Sequence, residues 1–349
     1  MSHFTVLVVG NHPETQLLPY QEDAPQEYLV FVDKEEEYLQ EYNTGTVKMV
    51  KDSTGKLVYS HKINGKIAPE EIKEIPFKKH FSTFEEYMSE WHDMTDRNKD
   101  TNKYGYYTNP NARWDWFEIG GRWDGFFKIK ATNSVLLEDS KLETLELTQK
   151  EFLYISELYY LQDSRLTSEL DKYPKRKQIL EAVKKAAPPE YEGGHTQAQC
   201  VKANIDFEWM EQLAIEQAKQ QYTAAMEIFG DSPPNKSWEE CYNQDPTTAK
   251  EKYWGQERCK KWQAAETSKF GWSTTPDKYL MDRPNFLEKA KNQTATTFAI
   301  VKDGQWIEKG NMGWFGMVSN ESETWTETFH RILREIPDET LLTIVDCHI

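Results

Sequence analysis

Phe4-Thr-Val-Leu-Val-Val9 is a run of aliphatic and β-branched residues, and Gly10 follows it directly. Such a run, ended by a turn residue, predicts a buried β-strand. A second apolar run, Leu341-Leu-Thr-Ile-Val345, stands near the other end of the chain. The polar, helical middle of the chain offers few strands to complete a sheet. We therefore predict that the first and last strands lie in one sheet.

The segment before the last strand also has β character. Thr296 to Val301 and Gln305 to Lys309 flank Asp303-Gly304, which is typical of a two-residue hairpin turn. Trp325, Phe329, Ile332 and Ile336 then recur at helical intervals, and Pro337 stops that helix. The C-terminal part therefore reads as two or three strands, a helix and a last strand.

We predict an α+β fold, with a mixed or antiparallel sheet built from N- and C-terminal strands, covered by helices and interrupted by an inserted helical region. The predicted divisions are an N-terminal α+β part at 1–147, a helical insertion at 148–292 and a C-terminal β-β-α-β part at 293–349.

Helix-capping residues and apolar residues at every second position predict where several helices and strands begin. Ser82 with Glu85, and Ser237 with Glu240, have the spacing of a capping box, and Asp206 precedes a third helix. Phe127 and Ile129 alternate as in a strand. These patterns predict three helix starts and one further strand.

Composition limits the classes of partner. The net charge of −16 disfavours binding to nucleic acid or anionic lipid, because phosphate contacts require clustered Lys and Arg. The four cysteines show no Cys-x-x-Cys spacing, so reduced thiols are expected. No apolar run has the length of a membrane span, and the first ten residues lack a signal peptide's charged start. We expect a cytoplasmic protein without membrane contact.

The most unusual segment is Trp114-Asp-Trp116-Phe-Glu-Ile-Gly-Gly-Arg-Trp123. Gly120 and Gly121 would let the backbone approach a ligand, whose phosphate or carboxylate the Arg122 guanidinium would bind. Alternatively the glycines form a structural turn in which Arg122 pairs with Asp115 or Glu118. Neither a dinucleotide fingerprint nor a P-loop is present, so no cofactor is assigned.

Several tryptophans are candidates for a stacking platform that binds a flat ligand. Packing of the same rings in the core is the alternative explanation. The candidates are Trp114, Trp116, Trp123, Trp306 and Trp314.

The last strand carries a possible acid–base pair. Alternation sends Asp346 and His348 to one side and Cys347 to the other, which argues against a dyad of Cys347 with His348. Asp346 and His348 are therefore the candidate catalytic residues, as a general base with its orienter. His3 would join them in a metal site if the terminal strands are neighbours, but we assign no metal ligands. A frayed strand end is the alternative.

The chain resembles a family of uncharacterised phage and prophage proteins. The resemblance rests on Met1-Ser-His-Phe-Thr-Val-Leu-Val-Val-Gly10, on the segment from Trp114 to Trp123 and on the terminal Val345-Asp-Cys-His-Ile349, and it spans nearly the whole chain. It implies a phage context, in the host cytoplasm during infection. It supplies no catalytic residues.

Three functions follow as hypotheses. The first is a phage accessory protein that binds a small molecule or a host protein, in the setting of counter-defence. The second is an enzyme that acts on a nucleotide-like or other small anionic substrate, with Arg122 binding the anion and Asp346 and His348 moving protons. The third is an acidic mimic of nucleic acid, which would need carboxylates spaced along one exposed face.

Overall fold

The computed structural model describes residues 2–52, 54–62, 71–131, 135–160, 162, 165–190, 196–265, 270, 274–313 and 318–349. The chain divides into two compact units. One unit is Met1–Leu17 with Trp116–Ile349, and the other is Leu18–Asp115. The predicted boundaries after residues 147 and 292 both fall inside the first unit.

The strands are short except at the two ends of the chain. They are β1 His3–Val9, β2 Val30–Asp33, β3 Thr46–Lys51, β4 Leu57–Tyr59, β5 Lys73–Pro76, β6 Gly105–Thr108, β7 Trp116–Ile119, β8 Gln199–Val201, β9 Ala299–Lys302, β10 Gln305–Glu308, β11 Asn311–Met312, β12 Val318–Ser319 and β13 Leu341–His348.

The helices concentrate between β7 and β9. They are α1 Pro13–Leu17, α2 Glu35–Thr44, α3 Phe77–His80, α4 Phe84–Trp91, α5 Asp139–Leu145, α6 Gln149–Tyr160, α7 Leu166–Leu170, α8 Arg176–Lys185, α9 Phe207–Phe229, α10 Trp238–Gln244, α11 Ala249–Trp254, α12 Glu257–Ala264, α13 Arg283–Asn292 and α14 Trp325–Glu335. Among the described helices, none has both the length and the apolar character that crossing a bilayer requires.

The first and last strands lie side by side in the main sheet. In the described part of the chain this sheet has six strands, ordered β10-β9-β1-β13-β7, with β8 also paired to β13. β1 runs antiparallel to β13 and parallel to β9. The α+β class and the shared sheet of terminal strands are therefore confirmed, and the sheet is mixed.

One edge of β13 is shared between two short strands. β8 pairs with Leu341, Leu342 and Thr343, and β7 pairs with Val345 through His348. At Ile344 the two partners change over, since its carbonyl accepts from Gly120 N–H and its N–H donates to the Ala198 carbonyl. The loop that follows β7 therefore leaves the sheet beside β13.

Both faces of the central strands are buried. On one face, Leu7, Ile300 and Ile344 belong to a core cluster that includes Phe329 and Ile332 of α14. The opposite face also contains fully buried side chains, such as Val6 and Val345. Because both faces are buried, β1 and β13 consist of nearly continuous apolar residues instead of alternating apolar and polar residues.

The inserted helices form clusters of their own within the first unit. α5, α6, α7 and α8 enclose one apolar cluster, and α9, α12 and α13 contribute to another. Two predicted helix starts are confirmed: Asp206 accepts from Trp209 N–H, and Ser237 forms a complete capping box with Glu240. The predicted strand around Phe127 and Ile129 is replaced by one isolated bridge between Ile129 and Ile205.

The second unit contains two small antiparallel sheets, β4-β3-β5 and β2-β6. Its core is aromatic and includes Phe77, Phe81 and Tyr87. The helix predicted from Ser82 exists, but its cap lies one residue later, since Thr83 accepts from Glu86 N–H. The Glu86 carboxylate accepts from the N–H of Ser82, the residue before the N-cap, so the second bond of a capping box is replaced by one to the preceding residue.

Candidate functional site

The register of three strands brings together residues from both ends of the chain and from the tryptophan–glycine segment. His3 of β1 stands opposite His348 of β13, which stands opposite Trp116 of β7. Cross-strand partners in a sheet point to the same face. We call the group formed by these residues and the adjoining loop the terminal-strand site; its members are His3, Trp116, Gly121, Arg122, Asp346 and His348.

The Asp346 carboxylate is the buried centre of this site, with 2% of the residue exposed. His3 Nδ1 donates to Asp346 Oδ1 over 2.8 Å, because an ionised carboxylate can only accept. The backbone N–H of Arg122 donates to Oδ2 over 3.0 Å. A carboxylate removed from water is costly unless it is paired and hydrogen-bonded, and here each oxygen has a named donor.

Gly121 makes this contact possible. A Cβ atom at Gly121 would lie 2.5 Å from the Asp346 Cβ and 2.7 Å from Oδ2, and the residue has φ +51°. Gly120, the residue before Gly121, has φ +75° and turns the chain away from β13. The predicted close approach of backbone is therefore present, and the group approached is a side chain of the protein itself.

The three rings of the site contact each other. The His348 imidazole stacks on the Trp116 indole with centroids 5.0 Å apart and planes at 16°. His3 meets both rings edge-on, at 4.9 Å and 5.3 Å. His348 is buried, whereas 44% of Trp116 is exposed. The stacked His348 thus supports the Trp116 indole, while part of that residue remains exposed.

Arg122 belongs to the short 3-10 helix Gly121–Trp123, and its side chain is exposed. In the parts of the chain that the structure describes, its guanidinium makes no ion pair within the first unit, so the predicted alternative of a pair with Glu118 is not formed, and Asp115 belongs to the other unit. Asp346 accepts from its backbone N–H, so the exposed Arg122 side chain begins beside the terminal-strand site.

The other predicted ligand-binding tryptophans lie elsewhere. Trp114 is buried and belongs to the unit Leu18–Asp115. Trp123 packs against the main core cluster. Trp306 contacts Phe4 edge-on at 6.3 Å, on the sheet face opposite His3, and its Nε1–H donates to Glu308 over 2.9 Å. Trp314 lies outside the described residues. Trp116 is thus the member of the set that the structure brings beside Asp346 and His348.

Cys347 points away from the terminal-strand site, as alternation predicted. Burial, with a contribution from the Asp346 charge, raises the pKa of its thiol well above the ordinary value. Burial also raises the pKa of Cys200 and of Cys259 to about 11. These thiols are therefore poor nucleophiles at neutral pH, because the thiolate is the reactive form.

His3 has a different role from the one that its residue type suggested. The sequence suggested that His3 could join Asp346 and His348 in a metal site. In the structure, His3 is the hydrogen-bond partner of Asp346. Among the described residues, no group of three His, Cys, Asp or Glu side chains is arranged to hold a metal ion. An aspartate that accepts from Nδ1–H orients the imidazole and raises the basicity of its other nitrogen. His3 and Asp346 thus form a pair that is able to transfer a proton.

Replacing Gly121 by alanine tests the packing of the site. The added Cβ would push the Asp346 carboxylate away, and alanine is also strained at the positive φ of this position. We therefore expect the free energy of unfolding to fall by about 3 kcal/mol. Gly304→Ala is the matched control, since Gly304 has φ +72° and a Cβ there meets nothing within 4 Å. We expect it to cost only about 1 kcal/mol. Chemical denaturation measures both; equal losses would contradict the close approach to Asp346.

The buried thiols predict slow chemical labelling. With a pKa near 11, about one thiol in a thousand is ionised at pH 8, and burial also blocks access. We expect Cys200, Cys259 and Cys347 to react with a disulfide reagent only on unfolding, and reaction to follow the denaturation curve. Rapid labelling of Cys347 in the folded protein, identified by peptide mass mapping, would show that its thiol is accessible and ionised.

Comparison with known proteins returns no match. No family model fits the chain, and neither a curated protein nor a solved structure resembles it significantly.

Proposed function

We propose that this protein binds a small anionic molecule with a flat ring at the terminal-strand site. The observation that carries the proposal is the exposed Trp116 ring, supported from behind by His348, beside a loop that presents the unpaired Arg122 guanidinium. An aromatic face stacks on a planar ring at low entropic cost, and a guanidinium binds phosphate or carboxylate in bidentate fashion.

The arrangement is preorganised for such a ligand. Trp116 is fixed by strand pairing with His348, and the Arg122 backbone is fixed by Asp346, two residues away on the same strand. Two residues of a strand span about 7 Å, so the two anchoring contacts lie close together on β13. A ligand that combines a planar ring with an anionic group, such as a nucleotide, matches the two kinds of contact offered here.

The resemblance of the chain to phage and prophage proteins supports a biological setting for this binding. We propose that the protein is a phage accessory protein that acts in the cytoplasm of the infected cell and withdraws a small anionic molecule on which a host defence depends. A host protein as the bound partner is the alternative within the same setting. Native mass spectrometry of the protein purified from infected cells distinguishes a retained small molecule from a retained protein.

Calorimetric titration tests the ligand class. We expect nucleoside phosphates to bind and the corresponding nucleosides to bind at least tenfold more weakly, because a charged hydrogen bond to Arg122 contributes about 1.5–3 kcal/mol. Arg122→Gln should remove that difference. Trp116→Ala should weaken all ligands with a ring, by about 1–3 kcal/mol for the lost stacking.

Two substitutions elsewhere serve as matched controls. Trp238 has a similar exposure of 42%, and Arg331 is an exposed arginine of α14 that pairs only with Glu335 within its helix. Trp238→Ala and Arg331→Gln should leave binding unchanged. Binding that survives both site substitutions, or that the controls weaken equally, would remove the terminal-strand site as the ligand site.

The hydrogen bond between His3 and Asp346 favours a second candidate function, an enzyme that acts on the same class of anion. In this case His3 is the general base, Asp346 holds its tautomer, and Arg122 binds the substrate. His348 then supports the ring of Trp116 rather than moving a proton. The pair predicted from the sequence was Asp346 with His348. In this assignment, His3 takes the place of His348 as the histidine that Asp346 orients.

Turnover measurements separate the roles of the two histidines. If a bound phosphate ester is hydrolysed, His3→Gln and Asp346→Asn should each slow the reaction by about 10²–10⁴-fold, the usual contribution of general base catalysis. His348→Phe keeps a ring against Trp116 and should retain most of the activity. Phosphate release with folding checked by circular dichroism provides the assay. A folded His3→Gln protein with full activity, or a dead His348→Phe protein, would contradict this assignment.

A further inference from the structure

A second surface of the first unit has the features of a binding groove. It is an open cavity of about 750 Å³ between α5, α8 and the segment Val135 to Leu137. None of its lining residues belongs to the terminal-strand site. We call it the lysine-rimmed groove, and the residues that define it are Leu136, Lys141, Leu145, Lys177, Ala182 and Lys185.

The floor of the groove is apolar. Val135 and Leu145 are buried members of the cluster that α5, α6, α7 and α8 enclose, and Ala182 of α8 packs against it. Leu136 stands above this floor with 50% of its surface exposed. An exposed large aliphatic side chain beside an apolar floor marks a surface that gains free energy when a partner covers it.

The rim carries positive charge that the protein does not neutralise. Lys141, Lys177 and Lys185 all line the groove, and within the described residues none of the three makes an ion pair. The one carboxylate of the lining, Glu181, pairs over 3.1 Å with Lys184, which is not part of the lining. Three unpaired lysines around one groove contrast with the net charge of −16 of the whole chain.

The shape of the groove suits a helix. α8 has ten residues and is therefore about 15 Å long, so the groove beside it accommodates about three turns of a second helix. An amphipathic helix places apolar residues at positions i, i+3 or i+4 and i+7 along such a groove, and its flanking residues then face the rim. With lysines on the rim, the complementary flanking residues are Asp and Glu.

We propose that the lysine-rimmed groove binds an acidic amphipathic helix of a partner protein, whose apolar side chains cover Leu136 while its carboxylates face Lys141, Lys177 and Lys185. This interaction is independent of the ligand proposed for the terminal-strand site. Because the charge pairs lie at an exposed rim, binding weakens as ionic strength rises.

Selection from a displayed library of random 16-residue peptides tests this proposal on the full chain. We expect the selected peptides to have a net negative charge and apolar residues at helical spacing. Their affinity, measured by fluorescence anisotropy, should fall at least tenfold in the triple variant Lys141→Glu, Lys177→Glu, Lys185→Glu. The affinity should also fall in the variant Leu136→Ser, and it should fall for the original protein when the salt concentration is raised from 50 mM to 500 mM.

A second triple variant controls for the change in net charge. Lys236, Lys250 and Lys260 are exposed, lie outside the groove and make no ion pair among the described residues. Their replacement by Glu should leave peptide binding within twofold of the original. Circular dichroism confirms that every variant is folded.

Several results would overturn the proposal. One is that the selected peptides are basic or uncharged. Another is that both triple variants weaken peptide binding equally, and a third is that no helical peptide is selected. Oleate is a further probe, since an apolar groove with a basic rim also suits an anionic amphiphile. Saturable binding of oleate that Lys141→Glu, Lys177→Glu, Lys185→Glu abolishes, without any peptide binding, would assign the groove to a fatty acid instead.

Discussion

The antiparallel pairing of β1 with β13 is the constraint on which the rest of the first unit depends. Its register, His3 opposite His348 through Val9 opposite Leu342, joins strands that lie more than 330 residues apart in the sequence. Three other strands of the described sheet pair directly with these two, β9 with β1 and both β7 and β8 with β13, and β10 pairs with β9. Closing so long a loop is entropically costly, and the continuous apolar content of both strands supplies the compensating burial.

The same pairing buries a carboxylate. Asp346 continues the face of Leu342 and Ile344, so the strand geometry buries it beside the core. Its two oxygens are satisfied by His3 and by the backbone of Arg122, and removal of either donor would leave a buried charge with an unfilled acceptor. The glycine at position 121 is thus required by the carboxylate, and the position of Arg122 follows from the same contact.

The two proposed binding surfaces differ in their physical basis. The terminal-strand site combines a supported aromatic face with one cation and suits a small planar anion. The lysine-rimmed groove offers an apolar floor and separated charges, which suit an extended amphipathic partner. In an acidic chain, both proposed surfaces offer local positive charge, one arginine in the first and three lysines in the second, whereas the net charge bears on solubility and on long-range association.

The sequence alone determined the features that depend on neighbours within a few residues. The hairpin at Asp303-Gly304, the period of α14 and the caps at Asp206 and Ser237 follow from local backbone preferences and side-chain spacing. The shared sheet was predictable because only the two ends carried continuous apolar strands. Tertiary structure decided the rest: which histidine Asp346 holds, which tryptophan remains exposed, and what the glycines approach. Those outcomes depend on residues 224 and 343 positions apart, whose meeting is set by strand register and loop path, and no local pattern encodes it.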